Sequence, residues 1–324
     1  MIDPLIAIRT IHFASAILVA GAATFSLLVA DPIWHRGEPA ATHFTVEAGL
    51  HTTRLIWGGL IVVVISGAAW LMTLAASIED TTWAEAISDG TAWTLLTETQ
   101  FGLVWMSRLA GAAVLAVLLT LPQLIPKTGA TGWRRIAIAA TAAFLLGSLA
   151  GVGHAATTTG ATGLLHFAAD ILHLLASGAW VGGLVPLVLV VGRARGGPAL
   201  LAETSQALCR FSTLGLASVS VLVVTGLINT WFLTNGLRGL FGTEYGGLLQ
   251  LKILLFLAMM GPAALNRYRL VPRLAQAVDA IATEPANTAL KPLRASVAIE
   301  IALAFAVIAL AAILGLTPPA GHHH

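Results

Sequence analysis

Cysteine is all but missing. Cys209 is the single one in 324 residues, which excludes an internal disulfide framework and any thiolate-rich metal site. Charge is scarce as well. Asp, Glu, Lys and Arg make up 10% of the chain, against about 25% in soluble domains, so most of the sequence cannot face water. Net charge is only +2, so a pI near 9.0 is no sign of a nucleic-acid partner, and none is expected. No Walker-type phosphate loop is present, so any transport would run on a gradient, the membrane potential or delivery by a partner, and an enzyme is not expected. A cleavable signal-peptide pattern is also absent: the first apolar run has no basic leader and no small-residue cleavage motif ahead of it. Gly321-His322-His323-His324 reads as a tag remnant and stays outside the argument.

What is present is apolar length. Hydrophobic residues make up 57% of the chain and the mean hydropathy is +0.87. Eight runs are long enough, at about 20 residues each, to cross roughly 30 Å of hydrocarbon. They cover Leu5–Ala30, Leu55–Ala76, Gly102–Leu121, Ile136–Val152, Leu164–Val191, Phe211–Phe232, Gly247–Leu265 and Ala295–Leu316. The expected fold class is all-α, a polytopic membrane helix bundle embedded in lipid.

Loop charge sets an expected orientation. Lys127, Arg134 and Arg135 lie between runs three and four. Arg193, Arg195 and Arg210 lie between five and six, and Arg267, Arg269, Arg273, Lys291 and Arg294 between seven and eight. The positive-inside rule makes these cytoplasmic. Residues 77–101 carry Glu79, Asp80, Glu85, Asp89 and Glu98 with no Lys or Arg and belong outside, as do residues 153–163 and 234–246. The loop with His35, Arg36, His43 and Arg54 then falls inside, and both termini fall on the periplasmic side.

The halves resemble each other. His12-Phe13-Ala14-Ser15-Ala16-Ile17-Leu18 parallels His166-Phe167-Ala168-Ala169-Asp170-Ile171-Leu172. A competing register pairs His12 and Gly21 with His173 and Gly182 at equal spacing. Phe101-Gly102 followed by Arg108 mirrors Tyr245-Gly246 followed by Lys252. The expectation is a tandem 4+4 parallel repeat. Residues 1–152 form the first four-helix unit and 153–320 the second, and a site is expected at their interface.

Ionisable groups in a bilayer are costly and ask for a reason. Arg9, His12, Arg108, Asp170, His173, Lys252 and Glu300 fall within runs, with His154 and His166 at the outer ends of theirs. All but Glu300 lie in the outer half. His166, Asp170 and His173 stand at i, i+4 and i+7, on one helical face. Met72 and Met106 lie near the outer ends of their runs. Imidazole, carboxylate and thioether make a copper ligand set, Met favouring Cu(I) and His with carboxylate tolerating Cu(II). The candidate metal residues are therefore His173, His12, His166, His154, Asp170, Met106 and Met72. Against this stand structural readings. A single intramembrane His often serves as hydrogen-bonded glue. Asp170 pairs with Arg9, Arg108 or Lys252 and then orients ligands rather than binding metal. Met72 and Met106 are ordinary packing residues. Asn229 and Glu300 are expected to bond neighbouring helices. Another class of reading makes His12 and His173 the axial ligands of a b-type haem that carries electrons, and a third is a copper sensor or assembly factor that does not conduct.

Several fragments, in order, resemble the copper resistance protein D (CopD) family of bacterial inner-membrane proteins. They are Arg9-x-x-His12, Gly153-His154-Ala155, His173 to Trp180-Val181-Gly182-Gly183, Phe211, Thr225-Gly226, Thr243-Glu244-Tyr245-Gly246 into Leu249 and Lys252, Asn266-Arg267, Pro272, Arg294 and Glu300. The resemblance implies copper movement from periplasm to cytoplasm, with a small periplasmic copper-binding protein (CopC) as donor. The chain shows no fused soluble copper-binding segment, so the donor is expected to be a separate protein.

Overall fold

The computed structural model describes residues 3–34, 42–124, 131–153, 160–193, 198–234, 236–280 and 283–319. Among the described residues there is no β-strand, and eight helices are long and apolar enough to cross a membrane. In chain order they are α1 (Pro4–Ile33), α2 (Gly49–Glu79), α3 (Gln100–Leu121), α4 (Gly132–Val152), α5 (Gly160–Gly192), α6 (Leu200–Thr234), α7 (Glu244–Asp279) and α8 (Thr288–Leu314). This is an all-α, multi-pass membrane protein. Ile61, Ile65, Leu227, Leu254 and Leu257 are exposed on its outer surface, as expected where the surrounding solvent is hydrocarbon.

Local chemistry sets the helix ends. The Leu5 amide donates to Asp3 Oδ1 at 2.9 Å and Pro4 opens α1, a favoured N-terminal pairing. α3 and α7 start on matching caps: the Gly102 amide donates to Thr99 Oγ1 and the Gly246 amide to Thr243 Oγ1, both at 3.0 Å. In both, a short preceding helix, Thr91–Glu98 or Leu237–Phe241, presses on the glycine. A Cβ would lie 2.0 Å from Leu96 O at Gly102 and 2.4 Å from Gly239 O at Gly246.

The acidic segment between α2 and α3 marks one end of the bundle, here the acidic end. The α1 start, the α4 end and the α5 start share it; the arginine-rich connections share the opposite, basic end. Two large cores result. One holds Val19, Leu60, Leu115 and Leu145 of α1–α4, and the other holds Trp180, Leu184, Phe211, Leu274 and Leu293 of α5–α8 with the basic-end half of α1. α1 and α5 meet between them at Gly21 and Gly182. Three spanning helices contain π-turns, at Ser26–Ala30, Gly178–Gly182 and Asn266–Leu270. Asp31 and Arg135 form an ion pair at the basic end, 3.2 Å apart.

Candidate metal centre

The first imidazole, His12, is fully buried. Its Nδ1 lies 2.9 Å from Ser66 Oγ and its Nε2 2.7 Å from Arg108 Nη2. Guanidinium only donates, so Nε2 accepts and Nδ1 carries the proton. Ser66 is free to accept that proton because its own hydroxyl donates to Val62 O at 2.5 Å. Arg108 also donates to the Leu145 carbonyl and, at 2.7 Å, to Ser148 Oγ. Trp70 and Trp105 close the remaining sides edge-on, with centroids 5.6 and 5.1 Å from the imidazole. Both nitrogens of His12 are committed.

The second, His173, has the same first partner type and a different surround. Its Nδ1 lies 3.0 Å from Thr225 Oγ1, whose hydroxyl donates to Val221 O at 2.7 Å. Nδ1 is again the donor, and Nε2 holds a lone pair with no hydrogen-bond partner among the described residues. Glycines admit both rings: a Cβ on Gly67 would lie 3.3 Å from His12 Cε1, and one on Gly226 would lie 3.6 Å from His173 Cε1. Three residues before each imidazole stand Arg9 and Asp170. Arg9 donates to Gly315 O at 3.1 Å and lies over the Trp70 ring at 4.8 Å. Asp170 instead accepts from Asn229 Nδ2 at 3.2 Å, and Lys252 lies within electrostatic reach of both Asp170 and His173.

His166 is also buried and stacks on Phe232, with centroids 4.8 Å apart and planes inclined by 13°. His166, Asp170 and His173 turn inward while Leu164, Leu165 and Leu172 on the same helix are exposed. His154 lies outside the described residues, but Gly153 before it borders this face: a Cβ there would be 3.8 Å from Asp170 Oδ2.

Not every sequence candidate gathers here. Among the described residues no three of His, Cys, Asp and Glu converge as a ready metal cluster. His12 and His173 each take a hydroxyl from their own half rather than sharing a site, so pairing them across one haem finds no support in their bonding. Met106 is half exposed on α3; its neighbour Trp105 and Arg108 occupy the face toward His12, and one residue of helical rotation carries the thioether away from it. Met72 packs in the small cluster of Ala75, Ala76, Ala86 and Leu95. Asp170 pairs with neither Arg9 nor Arg108. Asn229 and Glu300 do bond neighbouring helices, to Asp170 and Asn266. Ser66, Trp70 and Trp105 went unnoticed in the sequence, and Thr225 entered only through the Thr225-Gly226 fragment of the resemblance, although Ser66-Gly67 and Thr225-Gly226 stand at nearly equal distance, 54 and 52 residues, from their histidines.

The family described as "Copper resistance protein D-like, N-terminal domain" matches residues 1–164, and "Copper resistance protein D" matches residues 205–314. The chain belongs to the copper resistance protein D family. Among its relatives, Copper resistance protein D of Pseudomonas syringae pv. tomato is 30% identical over 98% of both chains. Inner membrane protein YebZ of Escherichia coli is 33% identical over 85% of this chain and 87% of its own. Copper transport protein CutJ of Bacillus subtilis is 31% identical over 80% of this chain and 45% of its own. No solved structure matches. Within this family member, then, one buried imidazole is closed by an arginine and its counterpart is open.

Proposed function

We propose that this chain carries copper across the bacterial inner membrane from the periplasm toward the cytoplasm, and that His173 is its outer-half copper ligand. The observation that carries the reading is the free Nε2 of His173, oriented by the Nδ1–H bond to Thr225 in the manner of a metal-ligating imidazole. Asp170 beside it supplies negative charge, held in place by Asn229. His166, one face-turn nearer the acidic end, and His154, next to Gly153, serve as capture residues. Met72, Met106 and His12 have no ligand role in this reading. The names of the relatives CutJ and Copper resistance protein D support copper as cargo. A separate periplasmic protein of the CopC kind delivers it. The membrane potential favours inward movement of a monovalent cation by about 2.3 kcal/mol per 100 mV.

The same proposal reads the two halves as tandem copies. Gly21 with Gly182, His12 with His173, Ser66 with Thr225 and Arg108 with Lys252 correspond in chain order, in bonding partner or in both. In this reading the first copy gave up metal binding when Arg108, Trp70 and Trp105 closed its imidazole, and the second kept it.

The experiment is cuprous binding to purified protein. Wild type should bind copper and His173→Ala should lose the ion held in the outer half. Undiminished binding in that variant removes His173 from the account. Vesicles reconstituted with wild type should accumulate copper faster than empty ones; equal rates would leave a binding protein and no transporter.

A further inference from the structure

α6 and α7 leave a gap in the wall of the bundle. They pack on each other through the far end of α7, Val271–Asp279, and only sparsely along the stretch before it. Behind the gap lies a cavity of about 170 Å³ shared by α5, α6, α7 and α8. Its rim is exposed, with Leu216 on α6 and Ala264 and Tyr268 on α7. Its floor is apolar and buried, formed by Trp180 of α5, Phe211 of α6 and Leu293 of α8. The same outer surface carries Leu227 of α6 with Leu257 and Leu265 of α7, all exposed, so it faces hydrocarbon. A cavity that opens sideways through such a surface is reached from lipid.

A polar belt crosses this cavity. Arg267, Ser212, Asn266 and Glu300 all line it. Arg267 Nη1 donates to Ser212 O and Oγ at 2.8 and 2.9 Å, and among the described residues its Nη2 and Nε have no hydrogen-bond partner. Glu300 is buried, and its Oε1 accepts from Asn266 Nδ2 at 2.5 Å. Asn266 bonds the carboxylate and immediately precedes the arginine, so the two charges stand at a common depth. They do not pair with each other. Asn266–Leu270 is the π-turn of α7, a backbone feature common at functional sites. Arg267 follows Glu244 by roughly 34 Å of helix at 1.5 Å per residue, close to the thickness of the hydrocarbon layer. The belt therefore lies where headgroups begin at the basic end.

One unpaired cation and one unpaired carboxylate in an apolar enclosure call for a ligand that carries both signs. A metal cation meets Arg267, and an anionic headgroup meets Glu300. We propose that the cavity binds a phosphatidylethanolamine molecule from the leaflet at the basic end. Its phosphate takes the free guanidinium donors, for which the planar fork is suited. Its ammonium donates to Glu300, and an acyl chain lies against Trp180 and Phe211. Pockets between spanning helices on the cytoplasmic side hold lipid headgroups in just this manner. The site owes nothing to copper being the cargo, so the two readings fail separately.

The test adds phosphatidylethanolamine, phosphatidylcholine or phosphatidylglycerol, with identical brominated acyl chains, to delipidated full-length protein in detergent. Binding is read as the part of the tryptophan quenching that Trp180→Phe removes. Wild type should bind phosphatidylethanolamine roughly tenfold more tightly than either of the others, as expected for one hydrogen bond to a charged group. Phosphatidylcholine has no N–H to give Glu300, and phosphatidylglycerol has no cation. Glu300→Gln keeps an oxygen for the Asn266 bond and should lower phosphatidylethanolamine to the level of phosphatidylcholine. Phosphatidylcholine itself should bind that variant as it binds wild type, which shows that the fold survives. Ala264→Trp, on the exposed rim, should block all three lipids without touching the belt. Equal affinity of wild type for the three lipids overturns the proposal, and so does a preference that persists in Glu300→Gln or quenching that persists in Ala264→Trp.

Discussion

Gly21 on α1 and Gly182 on α5 meet with no side chain between them. A Cβ placed on Gly21 would lie 2.2 Å from the Gly182 carbonyl carbon, and one placed on Gly182 would lie 2.0 Å from Ile17 O. Backbone against backbone cannot yield as a flexible side chain can, and small residues at membrane helix crossings serve this close approach.

Gly21→Ala and Gly182→Ala should therefore each push the halves apart. Overpacking costs about 1–3 kcal/mol in well-packed cores, and these contacts belong at the upper end. Gly58→Ala is the control, since nothing lies within 4 Å of the added atom. Thermal unfolding in detergent should show the first two lowered by several degrees and the third unchanged. Equal midpoints for all three would mean that the crossing is looser than described.

The two imidazoles should separate stability from binding. His12→Ala strands Arg108 Nη2 in a buried place, while the Ser66 hydroxyl keeps its bond to Val62 O. Such an unsatisfied group costs about 1–3 kcal/mol. That variant should unfold earlier yet bind as much copper as wild type. His173→Ala should do the reverse. Metal analysis alongside a melting curve decides it, and loss of copper in His12→Ala would restore that residue to the ligand set.

Asp170 should tune affinity through its neighbour. Removing an outer partner of a metal ligand typically costs 10–100-fold in affinity, so Asp170→Asn should weaken the outer copper by about that factor without abolishing it. Asn229→Ala, which removes only the amide that holds the carboxylate, should weaken it less. A complete loss in Asp170→Asn would make the carboxylate a direct ligand.

The orientation of the bundle is open to labelling. In a Cys209→Ala background, Ser88→Cys sits on an exposed helix of the acidic segment, and Ala280→Cys at the basic end. An impermeant maleimide applied to intact spheroplasts should modify the first and spare the second until the membrane is opened. The opposite pattern would invert the topology and with it the direction proposed for copper.

Acid should loosen the acidic-end cap before the bundle. Thr82 and Glu85 form a capping box, the Thr82 amide donating to Glu85 Oε2 at 2.8 Å, and these bonds hold the Glu85 carboxyl below its ordinary range. A lowered folded-state value means the contribution is fully present above the ordinary carboxylate range and is lost as pH falls from there through the lowered value. Amide exchange at Glu85 and Ala86 should quicken below about pH 4 while the spanning helices stay protected. Unchanged exchange would show the box to be idle.

Apolar length alone determined that eight helices would form, because hydrocarbon permits no unsatisfied backbone. It placed their centres well and their ends poorly. α7 was expected to stop at Leu265 and continues through a π-turn to Asp279, since hydropathy registers the lipid-facing part of a helix and is blind to its extension into water. The inward face of His166, Asp170 and His173 was legible from helical spacing, and Gly21 and Gly182, which stand at equal spacing from His12 and His173, meet in the fold. The free lone pair was not. Arg108 and Lys252 occupy matching places in the sequence, yet Arg108 reaches His12 Nε2 between Trp70 and Trp105, whereas Lys252 lies within electrostatic reach of Asp170, itself bonded to Asn229, and His173 Nε2 keeps no partner among the described residues. Which nitrogen of a buried ring remains available depends on donors brought from other helices, and only packing in three dimensions assigns them.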